Sequence, residues 1–308
     1  MAFTAKDVQA LRERTSCGMM DCKKALTEAN GDMDKAVELL REKGLAAAEK
    51  KAGRIAAEGV VFACVDEAKK VGVVIEINSE TDFVAKNEAF MAFVETCAKT
   101  VIENNPADVD ALLACTAAGS NETVDALLKD KILTIGENMK IRRFARYEGD
   151  VETYVHGGGR IGVMVQFDVD AAIADKNEYK ELAKDVALQI AALSPTYTSR
   201  EEVPSDVIKK EKEILVAQIM NDEKTKNKPA QVIEKMVEGR IGKYYKENCL
   251  VDQAFVKNGD LSVGQHVAEV AKALGGSIAI KSFVRFEKGE GLEKREDNFA
   301  DEVASMMK

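Results

Sequence analysis

The 308-residue sequence predicts an α+β fold: a three-helix bundle, a duplicated α+β core, an antiparallel helical hairpin inserted into the second copy, and a C-terminal helix. Three observations carry this prediction. Apolar residues recur at helical spacing through the first 44 residues and again between positions 195 and 245. A shift of 90 residues aligns Glu58-Gly59 with Glu148-Gly149, Gly72-Val73-Val74-Ile75 with Gly162-Val163-Met164-Val165, and Lys86-Asn87-Glu88 with Lys176-Asn177-Glu178. A shift of 139 aligns Gly136 with Gly275, Ile141 with Ile280, Phe144 with Phe283, Arg146 with Arg285 and Glu148 with Glu287. Such a repeat dictates the architecture, so it is read before anything else.

Residues 1–45 form the bundle. Thr4, with Asp7 three positions on, is a relative of the capping box, and Val8 and Leu11 line one face. Gly18 breaks the pattern, and a second helix carries Met20, Lys24, Ala25 and Leu26. Asn30-Gly31-Asp32 is a turn ending in an N-cap. A third helix over 33–43 turns Ala36, Val37, Leu39 and Leu40 inward, with Gly44 as its C-cap. The Ala- and Lys-rich residues 46–57 are a helical linker. Core subdomain N spans 58–147, and core subdomain C spans 148–194 and 246–287. Alternating apolar and polar residues give each copy the order strand, strand, helix, strand.

The second copy is longer by 49 residues, the difference between the two shifts. That insertion, 195–245, reads as a helical hairpin of coiled-coil type. Val207, Glu211, Ile214 and Gln218, then Val232, Met236 and Arg240, recur at helical spacing, and the apolar neighbours Ile208, Leu215, Ile219, Ile233, Val237, Ile241 and Tyr244 widen the stripe. The loop between is polar, and Pro229 suits the opening of the second helix. Residues 288–308 begin with a flexible Gly289-Glu290-Gly291 break. They continue as a helix striped by Phe299, Val303, Met306 and Met307.

Composition excludes several classes of function. The net charge of −9, from 44 Lys and Arg against 53 Asp and Glu, opposes direct nucleic-acid binding, which needs a cationic surface. No run approaches the ~20 apolar residues of a membrane span. The N-terminus carries no apolar signal core, so a cytoplasmic protein is expected. None of the six cysteines forms a C-x-x-C pair, and free thiols, several of them buried, are expected. The two histidines, His156 and His266, belong to no spaced set of metal ligands. Gly157-Gly158-Gly159-Arg160 lacks the spacing of a phosphate loop and is followed by a strand, so no helix N-terminus awaits an anion. No G-x-S-x-G elbow or kinase set occurs. The chain reads as a binding protein with no catalytic residues, no cofactor and no metal, and it should retain neither GDP nor GTP.

Two segments stand out from a plain scaffold. Thr81-Asp82-Phe83-Val84 follows a strand and opens a helix. Phe83 there either protrudes or staples back onto its own helix. The second copy has Ala171-Ala172-Ile173-Ala174 at this turn, without the Asp or the aromatic, which favours a specialised role for the first. The other segment, residues 12–22, places Met19 and Met20 after a glycine in a helix–helix turn. Adjacent methionines are either core or an adaptable contact surface.

These residues resemble the elongation factor Ts family from one end of the chain to the other. The matching stretches are residues 11–26 (LRERTSCGMMDCKKAL), 81–87 (TDFVAKN), 136–143 (GENMKIRR), His156 with Arg160-Ile161-Gly162, 236–240 (MVEGR) and 285–293 (RFEKGEGLE). At Ser16-Cys17 the family often has smaller residues. The resemblance implies a bundle of the ubiquitin-associated type. It also implies a guanine-nucleotide exchange factor that binds elongation factor Tu·GDP, disrupts its magnesium and phosphate site, and promotes GDP release for GTP rebinding. On this resemblance Thr81, Asp82, Phe83 and Val84 dislodge the magnesium arrangement. Arg12, Met19 and Met20 grip the G domain, and Ile135, Gly136 and His156 add contacts. The hairpin would form a homodimer or contact the partner. A competing reading, a ubiquitin-type adaptor using only the bundle, leaves the T-D-F-V turn and the duplicated core without a role.

Overall fold

The computed structural model describes residues 3–15, 17–225 and 228–294. Ser16 and the apolar stripe of the expected C-terminal helix, from Phe299 to Met307, lie outside them. The bundle consists of α1 (Ala5–Thr15), α2 (Met19–Glu28) and α3 (Met33–Lys51). Thr4 N–H donates to Asp7 Oδ2 at 2.6 Å and Asp7 N–H donates to Thr4 Oγ1 at 3.4 Å, so the two residues satisfy each other's donors at the start of α1. Asn30 and Gly31 take left-handed φ values of 53° and 85°, and the Asp32 carboxylate caps α3 by accepting from the N–H groups of Asp34 and Lys35, both at 3.0 Å. Val8, Leu11, Cys22, Leu26, Ala36 and Leu40 fill the bundle core.

The first core copy runs β1 (Glu58–Asp66), β2 (Val71–Ser79), a 3-10 turn (Val84–Lys86), α4 (Glu88–Asn104), α5 (Val109–Ala114), α6 (Val124–Ile135) and β3 (Met139–Glu148). The second runs β4 (Asp150–His156), β5 (Ile161–Val169), α7 (Asn177–Leu193), α8 (Ser205–Asn221), α9 (Ala230–Asn248), the short strands β6 (Ala254–Phe255) and β7 (Asn258–Ser262), α10 (Val263–Leu274) and β8 (Ile278–Glu287). The main sheets are antiparallel, in the orders β1-β2-β3 and β4-β5-β8. Moving β2 by 90 residues gives β5, and moving α6 and β3 by 139 gives α10 and β8, without slippage. Even the register shift between Glu76 and Ile77 recurs between Gln166 and Phe167.

Two sequence readings need correction. Each copy is expected to hold one helix before its last strand, but further helices intervene: α5 and α6 in the first copy and, beyond the hairpin, α10 in the second, with α6 and α10 directly before the last strands. The two helices share only an apolar period (Val124, Leu128, Ile132 against Val263, Val267, Ala271) and little identity, so residue matching missed them. Gly44 does not end α3, which continues to Lys51. The residues after Gly44 are strong helix formers, and Gly44 lies where α3 crosses α6, with its Cβ position 3.6 Å from Lys129 O.

The sheets pack back to back through Val61, Val74 and Met164, all fully buried. Gly72 and Gly162, equivalent by the repeat, permit the approach. A Cβ on Gly162 would strike Val61, and one on Gly72 would strike Val151. On the outer faces α4 covers the first sheet with Phe90, Phe93, Val94 and Cys97, and α7 covers the second with Tyr179, Leu182, Val186 and Ile190. The hairpin of α8 and α9 buries Leu215, Ile219, Val237 and Ile241 between its own helices. It leaves the core at neighbouring points, since Thr196 and Tyr197 N–H groups donate to Asn248 O at 2.9 and 3.0 Å. Among the described residues no helix is long and apolar enough to cross a membrane.

Candidate partner-binding surface

The turn after β2 is braced at both ends. Ser79 Oγ donates to Thr81 O at 2.9 Å. The Glu137 carboxylate, just beyond α6, accepts from the Glu80 N–H at 3.1 Å, the Thr81 N–H at 3.0 Å and Thr81 Oγ1 at 2.6 Å. Glu80 accepts in return from the Asn138 N–H at 2.6 Å. On the far side Asn87 caps α4, accepting from Ala89 and Phe90 N–H groups at 2.9 and 3.2 Å. Val84 is 5% exposed and joins the first core. Asp82 is exposed, and Phe83 is 78% exposed. The staple alternative therefore fails: Phe83 stands out from a fixed turn. Its equivalent in the second copy, Ile173, is 3% exposed.

Ile135 and Gly136 end α6 directly before Glu137, so the same brace ties them to the turn. Gly136 closes the helix at φ 90°, its N–H bonded to Ile132 O. His156 ends β4 and is exposed, with Nδ1 2.9 Å from Tyr154 Oη. The glycine run after it is a tight hairpin tip. Gly159 O accepts from Val61 N–H at 2.8 Å, which docks the tip on the start of β1. Because Glu58 pairs with Ser79, the tip and the T-D-F-V turn occupy the same end of the core. Met19 and Met20 are 46% and 61% exposed on the first turn of α2, so neither is core. Arg12 is exposed on α1 beside Met19. The bundle reaches the core through α6: Leu133 packs on the bundle core, and Lys51 Nζ donates to Ile132 O at 3.2 Å.

Sequence reading missed two acidic anchors, one half-buried and one fully buried. One is Glu137, which braces a turn 56 residues away in the chain. The other is Glu76, fully buried in β2 and paired with Arg142 and Arg143. A signal for Glu76 existed: it is the single charge in the run 71–77. Among the described residues no group of three or more His, Cys, Asp or Glu side chains could hold a metal ion. His266 stacks on Phe255 at 4.4 Å, a structural role. All six cysteines are free thiols, and burial pushes Cys97 up to about 12 and Cys249 to about 11, which leaves them poor nucleophiles.

The family model described as elongation factor TS matches residues 80–290, a stretch that opens at the braced turn and closes just after β8. The chain belongs to the elongation factor Ts family. Elongation factor Ts of Clostridium perfringens (strain 13 / Type A) is 54% identical to it over 307 residues, 99% of both chains. That of Clostridioides difficile (strain 630) is 50% identical over 308 residues, again 99% of both. That of Clostridium botulinum (strain Loch Maree / Type A3) is 47% identical over 309 residues, 99% of this chain and 98% of the relative. Membership of the elongation factor Ts family makes this a translation elongation factor with a nucleotide-exchange role in protein biosynthesis.

Proposed function

We propose that the chain binds elongation factor Tu·GDP through the G domain, disturbs its magnesium and phosphate site, and so promotes GDP release and GTP rebinding. The exposed Phe83 on its braced turn carries this reading. An aromatic on a fixed turn needs little backbone ordering on binding, and anchors of this kind supply a large share of interface energy. Asp82 beside it is a carboxylate that can compete with the partner's own ligands for the cation. Ile135, Gly136 and His156 extend the surface at the same end of the core. Arg12, Met19 and Met20, on a bundle of the ubiquitin-associated type, grip the G domain, with the methionines able to repack against it.

The chain makes and breaks no covalent bond, so it is not an enzyme in the chemical sense. Its effect is linkage: it binds the nucleotide-free partner more tightly than the GDP form, and GDP weakens its binding by the same factor. It works in the cytoplasm without direct contact to nucleic acid or membrane. The α8–α9 hairpin serves either a homodimer or the partner. The test is release of labelled GDP from elongation factor Tu. Substoichiometric amounts of the chain should accelerate release through many turnovers; an unchanged release rate at saturating chain would overturn the reading.

A further inference from the structure

Among the described residues one charged side chain is buried, Glu76; it lies next to the proposed exchange surface and has no part in that reading. Glu76 is fully buried in the middle of β2. Its carboxylate accepts from Arg142 Nη1 at 3.0 Å, Arg143 Nε at 2.7 Å, Asn78 Nδ2 at 3.1 Å and the backbone N–H of Gly289 at 2.8 Å. The two arginines pass the grip on. Arg142 Nη2 donates to Glu290 O, and Arg143 Nη2 donates to Glu287 O at 3.2 Å and to the Glu290 carboxylate at 3.2 Å. The Arg143 guanidinium also lies 4.2 Å from the centre of the Phe286 ring. Lys288 pairs with Glu58. Residues 286–290, the end of the second copy and the start of the C-terminal segment, are thus held by side chains of the first copy.

The fit leaves no room. Gly289 has φ 68°, and a Cβ there would collide with Ala57 O. The arrangement occurs once, although its framework occurs twice. The equivalent of Glu76 is Gln166, which donates to Glu148 O at 2.6 Å and accepts from Ser282 Oγ at 3.2 Å. The equivalents of Arg142 and Arg143 are Lys281 and Ser282. A strand needing only a filled polar position is served by glutamine, so the carboxylate and its arginines answer to something the second copy lacks. That something is the segment they hold.

We propose that Glu76 is a positioning residue for partner binding: it clamps residues 286–290 onto the first sheet, at the end that carries the Thr81–Val84 turn. The proposal rests on the exchange reading above. Its test is Glu76→Gln in the full chain, a substitution the fold accepts at position 166. The Gly289 amide should exchange with solvent at least tenfold faster, while the amides of α4 stay unchanged. In GDP release, the chain concentration for half-maximal rate should rise about 3- to 10-fold, a loss of roughly 0.6–1.4 kcal/mol, with the rate at saturation unchanged.

Gly289→Ala reaches the same segment without touching the charges and should reproduce the shift, so an unfolded Glu76→Gln would not shelter the proposal. The double variant should be no worse than the worse single, because both act through one segment. Unchanged exchange at the Gly289 amide, wild-type half-saturation in Gly289→Ala, additive effects, or a fall in the saturated rate would each overturn it. Failure of the exchange reading looks different: the wild-type chain itself would not release GDP, while the amide measurement would stand.

Discussion

Replacing Phe83 by Ala separates binding from folding, because the side chain is 78% exposed and carries almost none of the core. Substitutions at such positions change stability by no more than about 0.5 kcal/mol. The expected loss at the interface is much larger. A phenylalanine side chain presents about 200 Å², of which roughly 150 Å² is open to a partner at this exposure. At about 25 cal/mol per Å², full burial is worth up to about 4 kcal/mol. Truncation of an anchor falls at about 2–4 kcal/mol, which raises the half-saturating concentration about 30- to 1,000-fold. Val84→Ala is the internal control. Val84 is 5% exposed in the first core, and losing two methyl groups there should cost about 2 kcal/mol of stability through transfer and cavity terms. Labelled-GDP release and thermal unfolding, measured on both variants, should give opposite patterns. If Phe83→Ala melts as early as Val84→Ala, the aromatic is part of the fold. If it keeps wild-type half-saturation, it is not the anchor.

Removing the hairpin between residues 204 and 245 and rejoining the ends with a short Gly-rich linker should leave a folded core, since the hairpin's apolar cluster is internal to it and its ends are neighbours. Light scattering and GDP release on that protein distinguish dimerisation, where mass per particle halves, from partner contact, where exchange falls instead; an insoluble product would make the hairpin part of the core. Glu152→Gln tests a pH effect. Burial, the largest cause, raises the Glu152 carboxyl above its ordinary 4.5. The unfolded chain therefore releases this proton first as pH rises, and wild-type stability falls from about pH 4.5 up through the folded value. The glutamine variant should melt above wild type at pH 7, with the gap closing by pH 4. An equal gap at both pH values would remove Glu152 ionisation as the cause.

Local chemistry made much of this fold legible. The Thr4–Asp7 cap, the Asp32 cap and the Asn30-Gly31 turn involve residues within four positions of one another, and all three form as their sequence suggests. The two repeat shifts carry β2 onto β5 and β3 onto β8 residue for residue, while β4 begins two residues after the place that β1 predicts. Features set by distant residues were harder. Whether Phe83 protrudes depends on Glu137 holding Thr81, and no window around Phe83 contains that information. The continuation of α3 past Gly44 depends on its crossing with α6. The outward turn of both methionines follows from Cys17, Cys22 and Leu26 already filling the bundle core.

The repeat explains why the same loop is a scaffold in one copy and a contact surface in the other. At the position of Phe83 the second copy has Ile173, and at the position of Glu137 it has Gly276. Gly276 carries no side chain, and Ile173 packs into the space, close enough that a Cβ on Gly276 would lie 2.9 Å from Ile173 Cδ1. The loop there closes inward, and its apolar residue is 3% exposed. In the first copy Glu137 brings a carboxylate to that place. The carboxylate needs donors and takes them from the Glu80 and Thr81 N–H groups and the Thr81 hydroxyl, which fixes the turn around it. With the inner position occupied and Val84 filling the core below, Phe83 has no cavity to enter. Its exposure follows from the Glu137 brace and the filled core below it, where the second copy has Gly276 and the loop Ala171-Ala172-Ile173-Ala174 after a strand with the same span and bulge. Glu76 against Gln166 is a second exchange of the same kind, on β2 rather than between α6 and β3, where Glu137 lies. Both place a carboxylate in the first copy where the second has a neutral residue. Both lie at the end of the core where the turn, the hairpin tip and the C-terminal segment meet.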